Sequence, residues 1–129
     1  MIFQFKSKNE IGGYTNSKLK VNKYRNIKVT IDGHVFDSKK EGKRYLILKK
    51  DLKFNSITEL ILQPEFILQD KFKDQNGKVV LPIKYRADFK YVKKDKTIVE
   101  DVKGMRTKEY LIKKKIFLKL YPQYIFTEI

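Results

Sequence analysis

The chain has 129 residues, with 30 Lys and Arg against 15 Asp and Glu, and no Cys. That length suits one domain, while the missing cysteines exclude disulfides and thiolate metal sites and fit a reducing cytoplasm. The net charge of +15 is spread along the chain, which favours nucleic acid as a partner; an anionic membrane surface is the lesser candidate, because no segment carries a lipid-facing amphipathic pattern or a run of about 18 apolar residues.

Residues Met1–Arg25 are polar and basic and read as a flexible arm ahead of one domain over residues 26–129. Two readings of the arm stand side by side: a disordered terminus, or a strand-tracking segment in which Lys18, Lys20, Lys23 and Arg25 meet phosphates. Its first residues lack the apolar core of a signal peptide. Next, Ile27–Ile31 and His34–Phe36 flank Asp32-Gly33, a strong hairpin signal. His34, the one histidine, belongs to the surface of that hairpin, and its solitude excludes any His-pair mechanism.

Ser38–Leu52 predicts a helix, with Ser38 as N-cap and Glu41 three residues on as a capping box. Tyr45, Leu48 and Leu52 form its apolar stripe. Glu41 lies on that stripe, so two roles compete for it: cap, or metal ligand. Ile57–Leu62 is a short apolar run ending at Gln63-Pro64, where Pro64 forbids a helix interior. Glu65–Phe72 alternates as a strand, Asp74-Gln75-Asn76-Gly77 is a turn, and Lys78–Tyr91 is a long strand with a possible interruption at Pro82. Thr97–Lys103 follows as a third strand. Thr107 caps a second helix to about Leu120, with Leu111, Ile112, Ile116, Phe117 and Leu120 inward and Lys113, Lys114 and Lys115 in its middle. Tyr124–Ile129 closes as a strand. The order is hairpin, helix, three-stranded meander, helix, strand: an α+β (α/β sandwich) class with a mostly antiparallel sheet and two helices.

The chemistry concentrates at Asp88, Asp101 and Lys103. A turn symmetric about Lys94 and Asp95 sets Asp88 opposite Asp101, where like charges about 5 Å apart at Cβ repel unless a cation sits between them. Alternation points Lys103 the same way as Asp101. A one-residue shift makes Glu100 the competing ligand, although Glu100 points away from Lys103. Two carboxylates and an ammonium on one patch describe a divalent-metal hydrolytic site; scattered surface charge is the bland alternative.

Asp88, then Asp101-Val102-Lys103, behind a helix carrying Glu41, resembles the PD-(D/E)XK nuclease superfamily, and the order α-β-β-β-α-β resembles its restriction-endonuclease-like core. More narrowly, five ordered segments resemble small phage and prophage nucleases described as Holliday-junction-resolvase-like: Phe36-Asp37-Ser38-Lys39-Lys40-Glu41, Gln63-Pro64, Tyr85-Arg86-Ala87-Asp88-Phe89, Glu100-Asp101-Val102-Lys103-Gly104 and Tyr121-Pro122. The likeness runs from about Asn26 to the C-terminus. Ala87 stands where the superfamily name implies Pro, and Asp101 is the shorter of the two permitted acids.

The resemblance implies a Mg²⁺-dependent endonuclease acting on branched DNA during recombination, with Mn²⁺ as a substitute metal, in host-cell cytoplasm if phage-encoded. Asp88, Asp101 and the Val102 carbonyl would hold the metal, Glu41 would assist, and Lys103 would orient the attacking water. Paired nicks imply a two-fold homodimer. Arg106, Lys108 and Lys113 join the arm as expected DNA contacts. The alternatives are a nuclease for flaps, linear duplex or RNA, and a non-catalytic nucleic-acid-binding protein.

Overall fold

A computed structural model describes residues 27–103 and 105–129. The basic arm, including Lys18, Lys20, Lys23 and Arg25, lies outside the described residues. The chain divides into two compact units, one ending at Asp51 and the other running from Leu52 to Ile129.

In the N-terminal unit, β1 (Val29–Ile31) pairs antiparallel with β2 (His34–Phe36). Asp32 and Gly33 between them have φ of 55° and 82°, the left-handed pair that a tight primed turn requires. The Asp32 carboxylate accepts from the Tyr45 hydroxyl at 2.8 Å and from the Lys49 ammonium. Those two donors hold the Asp32 carboxyl below its usual range. Burial and Asp32 together push the Tyr45 hydroxyl up to about 12. Helix α1 (Lys39–Lys53) starts where expected: the Glu41 N–H donates to Ser38 Oγ at 3.1 Å, satisfying one of the amides that a first helical turn leaves without an intrahelical partner. Tyr45 and Leu48 are buried, but Leu52 is 38% exposed, so the stripe ends a turn earlier than predicted. His34 is exposed on β2.

The C-terminal unit contains β3 (Thr58–Leu62), β4 (Glu65–Gln69), β5 (Phe72–Lys73), β6 (Val79–Val80), β7 (Ile83–Arg86), β8 (Phe89–Lys93), β9 (Lys96–Asp101), α2 (Lys108–Leu120) and β10 (Ile125–Glu128). Four strands form one sheet in the order β10-β9-β8-β3, with β10 parallel to β9 and the other pairs antiparallel. β4 pairs with β7, and β5 with β6, as two-stranded antiparallel sheets. The described residues are therefore α+β, with a mixed sheet and two helices.

The predicted long strand Lys78–Tyr91 is three strands, interrupted at Leu81-Pro82 and at Ala87-Asp88. Pro82 has no amide to donate. The second break has a different cause. At Ala87-Asp88 the chain passes from the β4–β7 sheet to the four-stranded one, and Gln63-Pro64 makes the same passage beside it. The Ala87 N–H donates to the Pro64 carbonyl at 3.0 Å, and the Gln63 N–H donates to the Asp88 carbonyl at 2.9 Å. Gln63 takes φ 51° at this bend. Two paired strands thus bend together, and Asp88 sits at the bend.

The core of this unit gathers Phe66, Leu68, Tyr85, Ala87, Val99, Tyr110 and Phe117. The Phe117 side chain is fully buried, with the rings of Phe66, Tyr85 and Tyr121 at 4.8, 5.3 and 5.2 Å. This corrects the expected inner face of α2. Leu111, Ile112 and Leu120 are 41%, 60% and 47% exposed, and the buried residues are Tyr110 and Phe117, seven apart on one stripe. Thr107 caps the helix as predicted, its Oγ1 accepting from the Tyr110 N–H at 3.1 Å.

Candidate acidic site at the end of β9

The β8–β9 hairpin has the predicted register, from Lys93↔Lys96 at the turn to Phe89↔Glu100. Lys94 and Asp95 carry φ of 50° and 65°, again a two-residue primed turn. The ladder stops one residue short of the expected Asp88–Asp101 pair. Instead the Asp88 N–H donates to the Glu100 carbonyl at 3.0 Å, and Asp88 Oδ2 accepts the Val102 N–H at 2.6 Å. Asp88 is thus clasped to the β9 end by its backbone and its side chain.

Asp101 is buried, 1% exposed. Its Oδ1 lies 2.9 Å from the Lys103 ammonium, and its Oδ2 accepts the Tyr85 hydroxyl. Burial, then the charge and hydrogen bond of Asp101, push the Tyr85 hydroxyl far up, so Tyr85 stays protonated and serves as a standing donor. Asp88 reaches the same strand end through the amide of Val102, the residue after Asp101. Lys103 is fixed twice more: its N–H donates to the Ile129 carbonyl at 3.2 Å, and its ammonium lies 4.1 Å from the Tyr110 ring centroid. Glu100, the competing acid, accepts from the Tyr91 hydroxyl and, as the neighbour of Asp101 on a strand, faces the other side.

Glu128 was not foreseen. On the parallel strand β10 it pairs in register with Asp101. Its Oε1 accepts Arg106 Nη2 at 2.8 Å and Nε at 3.2 Å, and its Oε2 accepts the Tyr110 hydroxyl and Lys114 Nζ, the latter at 3.2 Å. The Arg106 and Tyr110 hydrogen bonds hold its carboxyl down at about 2. Burial and Glu128 in turn push the Tyr110 hydroxyl up. The available signal was phase: Glu128 stands two residues after the core-packed Phe126, hence on the same side of the strand.

The structure therefore brings Asp88, Asp101, Val102 and Lys103 together. Glu41 lies in the N-terminal unit, where its side chain is buried. Of the expected DNA contacts, Arg106 pairs with Glu128, Lys108 is exposed, and Lys113 pairs with Glu109 at 3.1 Å. Among the described residues, no group of three or more His, Cys, Asp or Glu side chains is placed to hold a metal ion. Asp88, Asp101 and the Val102 carbonyl are nevertheless hard oxygen donors, the kind that Mg²⁺ takes while keeping several waters, so the donor chemistry fits that ion.

The fold and site define an α+β protein with a fixed carboxylate–ammonium group at a strand end. Residues 21–129 match a family described as a protein of unknown function, DUF1064, and the chain belongs to that family. No curated protein and no solved structure matches the chain.

Proposed function

We propose that the chain is a metal-dependent endonuclease with a restriction-endonuclease-like core, hydrolysing phosphodiester bonds in DNA, with branched recombination intermediates as its substrate. The reading is carried by the clasped Asp88–Val102 and Asp101–Lys103 contacts at the end of β9. It agrees with the resemblance of the five ordered segments and with the net charge of +15.

Asp88, Asp101 and the Val102 carbonyl would hold Mg²⁺, or Mn²⁺ in its place. When bound, such an ion supplies a Lewis acid for phosphoryl oxygens and lowers the pKa of a coordinated water. The chain's own groups do the rest. Tyr85 donates to Asp101 and keeps that carboxylate oriented. The Lys103 ammonium, on the other oxygen of Asp101, would orient the attacking water and offset phosphate charge. The Val102 N–H fixes the rotamer of Asp88, so the site is organised before substrate arrives.

The test is cleavage of a labelled four-way junction, a flap and a linear duplex in Mg²⁺, Mn²⁺ or EDTA. Junction cutting is expected with either metal and none with EDTA. Asp101→Asn should lower the rate at least about a hundredfold, the upper end of what losing an outer-shell partner does, with binding kept within a few-fold. Undiminished cutting by that variant refutes the assignment.

A further inference from the structure

A cleft of about 390 Å³ opens in the C-terminal unit beside Lys103. Glu65 on β4, Lys84, Tyr85 and Arg86 on β7, Lys103, Thr107, and Glu109, Tyr110 and Lys113 on the first turns of α2 line it. Four of these nine residues are cations, delivered from three separate parts of the chain, and two are carboxylates; one of the cations, Lys103, is already paired with Asp101. On β7, Lys84 and Arg86 stand opposite Ile67 and Glu65 in the register, flanking Tyr85, which turns inward to the core. The two carboxylates are loosely engaged: Glu65 meets Lys84 at 3.7 Å and Glu109 meets Lys113 at 3.1 Å, with the acids 55% and 75% exposed. Exposed pairs of this kind contribute little, because solvent screens them, so an arriving anion displaces them at little cost.

The walls also say what the cleft does not read. Its volume is at the small end of ligand pockets, which run from about 300 to 1,000 Å³. It has room for one nucleotide unit. Its two aromatic residues are floor rather than platform: Tyr85 and Tyr110 are 3% and 7% exposed, and their hydroxyls are engaged by Asp101 and Glu128. Among the described residues of the lining, no ring is presented for a base to stack on. What remains is a seat for a phosphate.

We propose that this cleft seats a backbone phosphate of a nucleic-acid strand and reads no base. That the seated phosphate is a neighbour of the scissile one rests on the nuclease reading; the seat itself does not. Lys103 joins the two places, with its ammonium on Asp101 and its side chain in the cleft wall. Binding is then set by charge and by the width of the cleft, as in contacts that position a strand without specifying it.

The experiment uses the full chain in EDTA, so that no cleavage is needed. A fluorescein-labelled single-stranded oligodeoxynucleotide is titrated by anisotropy at several salt concentrations. The double variant Lys84→Ala/Arg86→Ala is compared with a charge-matched control, Lys94→Ala/Lys96→Ala, at the β8–β9 turn, and circular dichroism melts check both folds. The cleft variant should bind about tenfold more weakly, with its salt slope shallower by about 1.4, two contacts at roughly 0.7 each. The control should lose less than about threefold. An abasic oligonucleotide of equal length should match the parent within about twofold. Equal losses in the two variants, or no loss in either, overturn the seat; an abasic strand bound more than tenfold weaker overturns the claim that no base is read. A cleft-specific loss in a protein that cuts nothing keeps the seat and removes the nuclease reading.

Discussion

Glu128 links the side chains around Lys103 through one carboxylate. Arg106, Tyr110 and Lys114 all donate to it, and the ring of Tyr110 lies under the Lys103 ammonium. The same contacts make it a pH-dependent brace. Its carboxyl is held at about 2 in the folded chain, against an ordinary value of 4.5. A depressed folded-state pKa contributes stability that is fully present above the unfolded value and is lost as pH falls through the folded one. Glu128→Gln should therefore cost stability at pH 7, and its deficit against the parent should shrink steadily from about pH 5 towards pH 2. Urea unfolding of both proteins at pH 7, 4 and 2.5 checks this, because the other titrating groups cancel in the comparison. A deficit that does not change with pH would show that the carboxylate's charge adds nothing to the brace.

At the level of elements, α2 separates what local chemistry dictates from what packing decides. Phe117 is fully buried among rings and Ile112 is 60% exposed, although the apolar pattern ranks them as equals. Phe117→Ala should cost about 3–5 kcal/mol and Ile112→Ala less than about 0.5 kcal/mol, both measured by chemical denaturation; comparable costs would mean that the helix presents its other side. The turn at Asp32-Gly33, the caps at Ser38 and Thr107, and the symmetry about Lys94 and Asp95 were legible because each is fixed by residues within four positions. The joint bend at Gln63-Pro64 and Ala87-Asp88 was not, since a period of two continues unchanged through a bend. The buried stripe of α2 was legible only in part: Phe117 was expected inward, but Tyr110 reads as amphipathic until Glu128 is seen to accept its hydroxyl. At the site, the shared side of Asp101 and Lys103 was legible from alternation and the approach of Asp88 to the β9 end from turn length, whereas the direct Asp88–Asp101 pair is replaced by the contact of Asp88 with Val102. Tyr85, Tyr110 and Glu128 were not legible, because their roles depend on β7, α2 and β10 meeting at one place.

For the whole molecule, the resolvase reading makes a demand that one chain does not meet. A four-way junction is resolved by two nicks on symmetric strands, and each chain carries one group of Asp88, Asp101 and Lys103. On that reading, two copies related by a two-fold axis, the commonest symmetry of homo-oligomers, would supply the second site. Their cooperation has a product signature on a supercoiled plasmid that extrudes a cruciform. Two nicks within the lifetime of one complex give linear DNA, and one nick relaxes the cruciform and leaves a nicked circle. The parent protein should give linear product. Pre-mixing it with a threefold excess of Asp101→Asn, under conditions that exchange subunits, should place most remaining active sites beside an inactive one and shift the product to nicked circles while total cutting persists. Linear product in unchanged proportion after confirmed exchange would show that the chains cut independently, and the two-fold assembly would then have no part in the reaction.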